Sequence, residues 1–321
     1  MDSLCVYDAK VWQLVHQIEL PSTDAAGLEW SPDSRHIAIW DTISVGNSLM
    51  IVDSLAGKIV GSKKWECENG LGIKCVSWAP SGQFLAVGTH DAQTLLVNNV
   101  SWTEFAFLKH DSCIQSRDGK QPVFVYAESV DGEVCKTEQA VERQASLRRS
   151  GSRNLPRLGS INTVPGGNNK KDVTEETLVE YDIMPLPLKF NIPRVPRDQV
   201  HPNLGVGTIT WSPNGKYLAT ICDDRPHAVW IWGSSRLSLE AILLHGRPVS
   251  CIAWRPDESN CLAIVAGTRT VFFWSPEESS CVQMACNDFK SVGVEWSPEG
   301  DVLQVHSKES FCCGFLNTLA P

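Results

Sequence analysis

Apolar and polar positions alternate in short runs along most of the chain, and the runs come in groups of four. A first run ends on tryptophan, as in Gly207-Thr-Ile-Thr-Trp211 and Val292-Gly-Val-Glu-Trp296. A Pro-containing turn follows, then a second run such as Tyr217–Ile221, Phe84–Val87 or His36–Ile39. The third run is Ala228–Trp232, Thr270–Trp274 or Leu49–Val52, and a more polar fourth closes the unit, as in Leu239–Leu244. Alternation with a period of two, bounded by turn residues, predicts half-buried β-strands rather than helices.

The first turn is a repeated phrase: Trp30-Ser-Pro-Asp-Ser34, Trp78-Ala-Pro-Ser-Gly82, Trp211-Ser-Pro-Asn-Gly215, Trp254-Arg-Pro-Asp-Glu258 and Trp296-Ser-Pro-Glu-Gly300. Successive tryptophans are 48, 133, 43 and 42 residues apart. Three of those gaps match one four-stranded propeller blade of about 40–45 residues. The fourth gap holds either one blade with a long insertion or an extra divergent blade. The pattern therefore predicts an all-β propeller of five or six four-stranded blades, with parts at 1–110 and 204–321 separated by an insertion at 111–203. Trp30, Trp78, Trp211, Trp254 and Trp296, with Trp232 and Trp274 of the third runs, are expected to pack between blades as structural core.

The ends leave two readings. Leu4–Tyr7 and Trp12–Leu20 read as third and fourth strands, while the last unit supplies a first, second and third strand ending near Phe315. Either the N-terminal strand completes the last blade, or the ring is incomplete and upstream blades are missing. The second reading is preferred.

Composition narrows the classes. Of 321 residues, 42% are apolar, enough for a core, and only 20% are charged. No apolar run approaches the roughly 18 residues of a membrane span. Met1–Leu20 shows no basic-then-apolar pattern of a secretory leader. The 12 cysteines include no C-x-x-C pair, and many sit inside strand runs, so they read as reduced core thiols of an intracellular protein, without zinc. Gly166-Gly-Asn-Asn-Lys170 lacks the spacing of a phosphate loop, no G-x-S-x-G elbow occurs, and His90-Asp91 reads as a blade turn. Neither an enzyme nor a bound cofactor is expected.

Within the insertion, residues 143–171 carry seven basic side chains and no acidic one, whereas the chain as a whole is at −9. Low hydrophobicity and high charge predict disorder there. The basic residues Arg148, Arg149, Arg153, Arg157, Lys170 and Lys171 form a candidate partner segment, with tubulin as one acidic surface it would suit. Arg148-Arg149-Ser150 suits a basophilic kinase, and a phosphate on Ser150 would cancel much of the local field. A plain solvated loop is the simplest reading. Nucleic acid is disfavoured because no aromatic residues interleave with the basic ones. Pro122–Tyr126 and Leu178–Tyr181 are the two strand-like stretches of the insertion, and Pro185-Leu-Pro187 leads an extended return to the ring.

The units resemble WD-repeats with degenerate signatures: Tyr7-Asp8, Val52-Asp53, Trp232-Gly233 and Trp274-Ser275 stand where the Trp-Asp pair is expected, and His245-Gly246 reverses the usual Gly-His. Longer segments are more specific. Trp12–His16, Gly27–Pro32 with Ala38–Thr42, Leu71–Pro80 with Phe84–Gly88, Gly205–Gly207 and Asn214–Trp232 resemble, in collinear order, the centrosomal and spindle-pole WD-repeat proteins that work with a coiled-coil microtubule-anchoring partner. That resemblance implies a non-enzymatic scaffold in the cytoplasm and cytoskeleton, at centrosome, spindle pole or basal body, serving spindle assembly, microtubule anchoring and cilium formation. The family's upstream blades have no counterpart here. Propeller adaptors in translation initiation or RNA binding, and substrate receptors of ubiquitin ligases, are the alternatives.

Overall fold

The structure is a computed structural model, and it describes residues 2–42, 48–64, 72–115, 123–135, 178–191 and 204–315. The described residues form strands and turns, with no α-helix. Strands β1 (Ser3–Asp8) and β2 (Gln13–Glu19) make a two-stranded first sheet. The second sheet is β3 (Ala25–Trp30), β4 (His36–Asp41), β5 (Ser48–Asp53) and β6 (Lys58–Lys64), in that order. The third is β7 (Ile73–Trp78), β8 (Phe84–Thr89), β9 (Gln93–Asn98) and β10 (Glu104–Lys109).

From the insertion come β11 (Cys113–Ile114), β12 (Phe124–Val130), β13 (Glu133–Val134), β14 (Val179–Met184) and β15 (Leu188–Lys189). The fourth sheet then runs β16 (Val206–Trp211), β17 (Tyr217–Cys222), β18 (Arg225–Gly233) and β19 (Ser238–Leu244). The fifth is β20 (Cys251–Trp254), β21 (Leu262–Val265), β22 (Thr270–Trp274) and β23 (Ser279–Gln283). The last has three strands, β24 (Gly293–Trp296), β25 (Val302–His306) and β26 (Phe311–Phe315). This is a β-propeller architecture of antiparallel sheets, each tryptophan-led unit opening one sheet.

Turn chemistry explains where the chain reverses. Ser212 Oγ donates to Asn214 Oδ1 at 3.0 Å and accepts the Tyr217 amide at 2.9 Å, so the hydroxyl closes the turn from inside. Ser31 and Ser297 do the same for His36 and Val302. The turn needs a left-handed residue, supplied by Gly82 and Gly215 at φ 69° and 68°, while Ser34 adopts φ 58° without that freedom. The hairpin between third and fourth strands has its own device. Asp53 Oδ1 accepts the amides of Leu55 and Ala56 at 3.0 and 2.9 Å, and Asp8 and Asn98 cap the equivalent turns.

The core lies between sheets, not within them. Leu4, Ile18 and Leu20 of the first sheet pack on Ile37, Ile39, Met50 and Val52 of the second. Successive layers then join second to third, third to fourth, fourth to fifth and fifth to last.

Of the two readings of the chain ends the less favoured one does not form, and one expectation about the insertion needs correction. The N-terminal strand does not complete the last blade: β1 pairs with β2, and β26 pairs with β25, each in its own sheet. The insertion also contributes more than two strands. β12 adds in parallel to the outer edge of β19, with Val125 opposite Ile242, and β14 pairs antiparallel with β12. β11 pairs with β15 beside them. Val125 and Ala127 alternate into the core, so the apolar period of the stretch selects this docking.

Candidate interaction surfaces

The blade tryptophans form a series. The indole Nε1 of Trp78 donates to the carbonyl of Glu29 at 3.3 Å, Trp211 to Ser77 at 3.3 Å, Trp254 to Thr210 at 3.2 Å and Trp296 to Ala253 at 3.1 Å. Each acceptor is the residue just before the tryptophan of the preceding sheet. Trp78, Trp211, Trp254, Trp232 and Trp274 are buried, and Trp296 is half-buried. Trp30 departs from the expectation at 45% exposed. Its preceding sheet is the two-stranded hairpin β1–β2, which offers no inner strand to cover it. A concavity of about 430 Å³ between the first and second sheets is lined by Asp2, Leu4, Leu20, Asp24, Leu28 and Ile39.

A buried polar network sits between the third and fourth sheets. His110 Nε2 lies 2.7 Å from Thr220 Oγ1, which also accepts the Trp232 indole N–H at 2.9 Å. The other ring nitrogen, Nδ1, lies 3.0 Å from the Ala92 carbonyl. Buried Arg225 donates to the His110 carbonyl at 2.6 Å, with its guanidinium 5.7 Å from the Trp230 ring centre and 5.8 Å from that of Phe190. The degenerate signatures therefore retain a hydrogen-bonded network in this blade.

The next sheet uses a different partner. His245, like His110, follows a fourth strand, but Ile264 occupies the position equivalent to Thr220. Tyr181 of β14 supplies the hydroxyl instead, 3.2 Å from His245 Nε2, and its ring packs on Phe272. Cys281 of β23 donates its thiol to the Val179 carbonyl at 2.7 Å, tying the same strand to the fifth sheet.

Burial governs the electrostatics here. Desolvation holds His110 and His245 down to about 3, so both are neutral, and it holds Tyr181 well above the ordinary tyrosine value. Burial raises Glu128, against the Gly246 amide that donates to it at 2.7 Å. Burial also pushes Cys75 up to about 12 and Cys281 up to about 11, which makes them protonated core thiols. Eleven cysteines of the described residues are free.

Toward the inner strands, Lys74 Nζ is held by Asp223 at 2.5 Å and by the Leu204 carbonyl at 2.6 Å, joining third and fourth sheets. Among the described residues no three His, Cys, Asp or Glu side chains gather as a metal site. No helix of the described residues is long and apolar enough to cross a membrane. The candidate segment Arg148, Arg149, Ser150, Arg153, Arg157, Lys170 and Lys171, with the disorder expected of it, lies outside the described residues. Sequence reasoning missed His110, Thr220, Arg225, Tyr181 and His245. The two histidines each close a fourth run, and that recurrence is the signal that could have found them.

A family model, WD domain, G-beta repeat, matches residues 62–96, from β6 to β9. The mouse (Mus musculus) WD repeat-containing protein WRAP73 is 30% identical over 318 residues, covering 99% of this chain and 62% of that protein. The propeller is of the WD-repeat type, and the chain is similar over nearly its whole length to a WD-repeat protein. An uncharacterized WD repeat-containing protein of Schizosaccharomyces pombe is 17% identical over 255 residues, covering 79% of this chain and 42% of its own length. This WD-repeat chain thus spans about three fifths or less of those relatives. A chain in the crystal structure of the mitotic checkpoint complex aligns over 98% of this chain and 84% of its own, at 13% identity and a TM-score of 0.39. At that level the sheets themselves, not the likeness, carry the propeller architecture. A WD repeat suits a chain to protein–protein interaction.

Proposed function

We propose that this WD-repeat chain is a non-enzymatic scaffold in microtubule organisation, acting at centrosome, spindle pole and basal body by holding a coiled-coil partner. The observation that carries the reading is the likeness to WRAP73 over nearly the whole chain, far beyond the single repeat that the family model matches. It agrees with the collinear segments on both sides of the insertion that resemble the centrosomal family. Arg148, Arg149, Arg153, Arg157, Lys170 and Lys171 supply a cationic segment for an acidic surface such as tubulin, and Ser150 is the residue where a phosphate would weaken it.

Imaging the tagged full chain against a centrosome marker, with proximity labelling in the same cells, tests the proposal. Concentration at centrosomes or basal bodies and labelling of a coiled-coil protein are expected. Sedimentation with ribosomes, released steeply by salt, would overturn it in favour of an RNA-linked adaptor. Deleting residues 143–171 is expected to leave soluble protein and to change localisation or partner labelling.

A further inference from the structure

The turns at one end of the sheets form a continuous face. In every four-stranded antiparallel sheet the turn between first and second strands and the turn between third and fourth lie at the same end. Backbone bonds join the two turns within sheets: the Ser54 amide donates to the Arg35 carbonyl, Asn99 to Gln83 and Ser234 to Lys216, at 2.8, 3.1 and 2.9 Å. Neighbouring sheets also meet here. A methyl group on Gly215 would stand 3.8 Å from Cδ of Pro80, and Arg255 Nε donates to the Gly300 carbonyl at 2.7 Å. His16 Nε2 lies 3.2 Å from the Leu55 carbonyl, which brings the β1–β2 turn to the same edge.

Two features of this face lack a structural reason. Its tips are apolar on three successive sheets: Trp12 is 79% exposed, Leu55 77% and Val100 84%. A solvated loop tip gains nothing from such side chains. The charge is also divided. Lys10, Lys58 and Lys216 are exposed on the first, second and fourth sheets, where Asp8 and Asp33 offset part of the charge and Arg35 is held by Asp53 at 3.3 Å. The fifth and last sheets expose Glu258, Glu277, Glu278 and Glu299, and there Arg255 is taken by Asp257 at 2.9 Å.

We infer that this turn face docks a protein segment that carries large apolar side chains at one end and a cluster of lysines or arginines at the other. The apolar end sits on Trp12, Leu55 and Val100, where an exposed indole is a strong anchor. The basic end reaches the glutamates of the fifth and last sheets, and the opposed charges fix the direction in which the segment lies. An anionic membrane would meet the acidic half and be repelled, so the charge pattern selects a protein. The inference rests on the WD-repeat fold and not on the centrosomal reading, so either can fail while the other stands.

A random sixteen-residue peptide library displayed on phage, selected against the full chain, tests it. Selected peptides are expected to pair apolar residues with a Lys/Arg cluster. They are expected to bind about tenfold or more weakly to Trp12→Ser and to Leu55→Ser, both exposed changes that leave the melting temperature in place. The double charge reversal Glu277→Lys with Glu278→Lys is expected to select peptides without the basic cluster. Selection without that composition, equal binding by the variants, or sedimentation with phosphatidylserine vesicles that is lost in Trp12→Ser would each overturn the inference.

Discussion

The Tyr181 hydroxyl stands 3.2 Å from Nε2 of His245, so a residue from the insertion completes the polar core beside the fifth sheet. Replacing Tyr181 with phenylalanine keeps the ring on Phe272 and removes the only hydroxyl that serves this imidazole nitrogen among the described residues. The expected cost is about 1–3 kcal/mol, the range for a buried polar group left unpaired, read from urea unfolding. Tyr181→Ala also removes the packing and is expected to cost about 3–5 kcal/mol. Equal stability of wild type and Tyr181→Phe would show the contact to be incidental.

The matching hydroxyl on the fourth sheet is Thr220, shared by His110 and Trp232. Thr220→Val has nearly the same shape but strands two buried partners. A loss of about 1–3 kcal/mol for each stranded group is expected, with Thr220→Ser, which keeps the hydroxyl, losing less. If valine and serine were equivalent by thermal melting, the network would contribute nothing.

The histidines also give a pH dependence with a definite sign. Folded His110 and His245 stay neutral down to about 3, whereas in the unfolded chain they take up protons as the pH drops through the ordinary 6.5. Their contribution is therefore complete above pH 6.5 and is lost as the pH falls from there toward 3. The slope reaches about 1.4 kcal/mol per pH unit for each histidine. Glu128, raised by burial, binds its proton more readily in the folded chain and opposes the loss. Urea midpoints at about pH 7.5 and about pH 5 are expected to fall for wild type and to fall less for His245→Asn.

Trp211→Ala and Trp30→Ala remove the same side chain from the same phrase, yet their costs are expected to differ. Trp211 is buried and bonded to the Ser77 carbonyl, and its loss is expected to cost about 3–5 kcal/mol. Trp30 is 45% exposed, and about 1–2 kcal/mol is expected there. Chemical unfolding of the two variants side by side checks the contrast.

Much of the architecture was legible because it repeats. The four-run unit, the Trp-x-Pro phrase and the turn residues act locally, so Ser212, Asn214 and Gly215 announce their turn without help from distant residues. Features that join distant residues were not legible. His110 meets Thr220 across 110 positions and the whole insertion, and nothing in either neighbourhood names the other. The sequence around Val125 shows a strand but not that it would lie parallel to β19. Trp30 and Trp211 share one phrase and differ in environment, because the preceding sheet, not the phrase, decides what covers the ring.

The indole bonds of Trp78, Trp211, Trp254 and Trp296 all point one way along the chain, from each sheet back to its predecessor, like roof tiles laid with a single overlap. Each tile is fastened to the one before, so a fault in an inner strand is felt in the sheet that follows it. Damage at Thr210 loosens Trp254, and damage at Ala253 loosens Trp296.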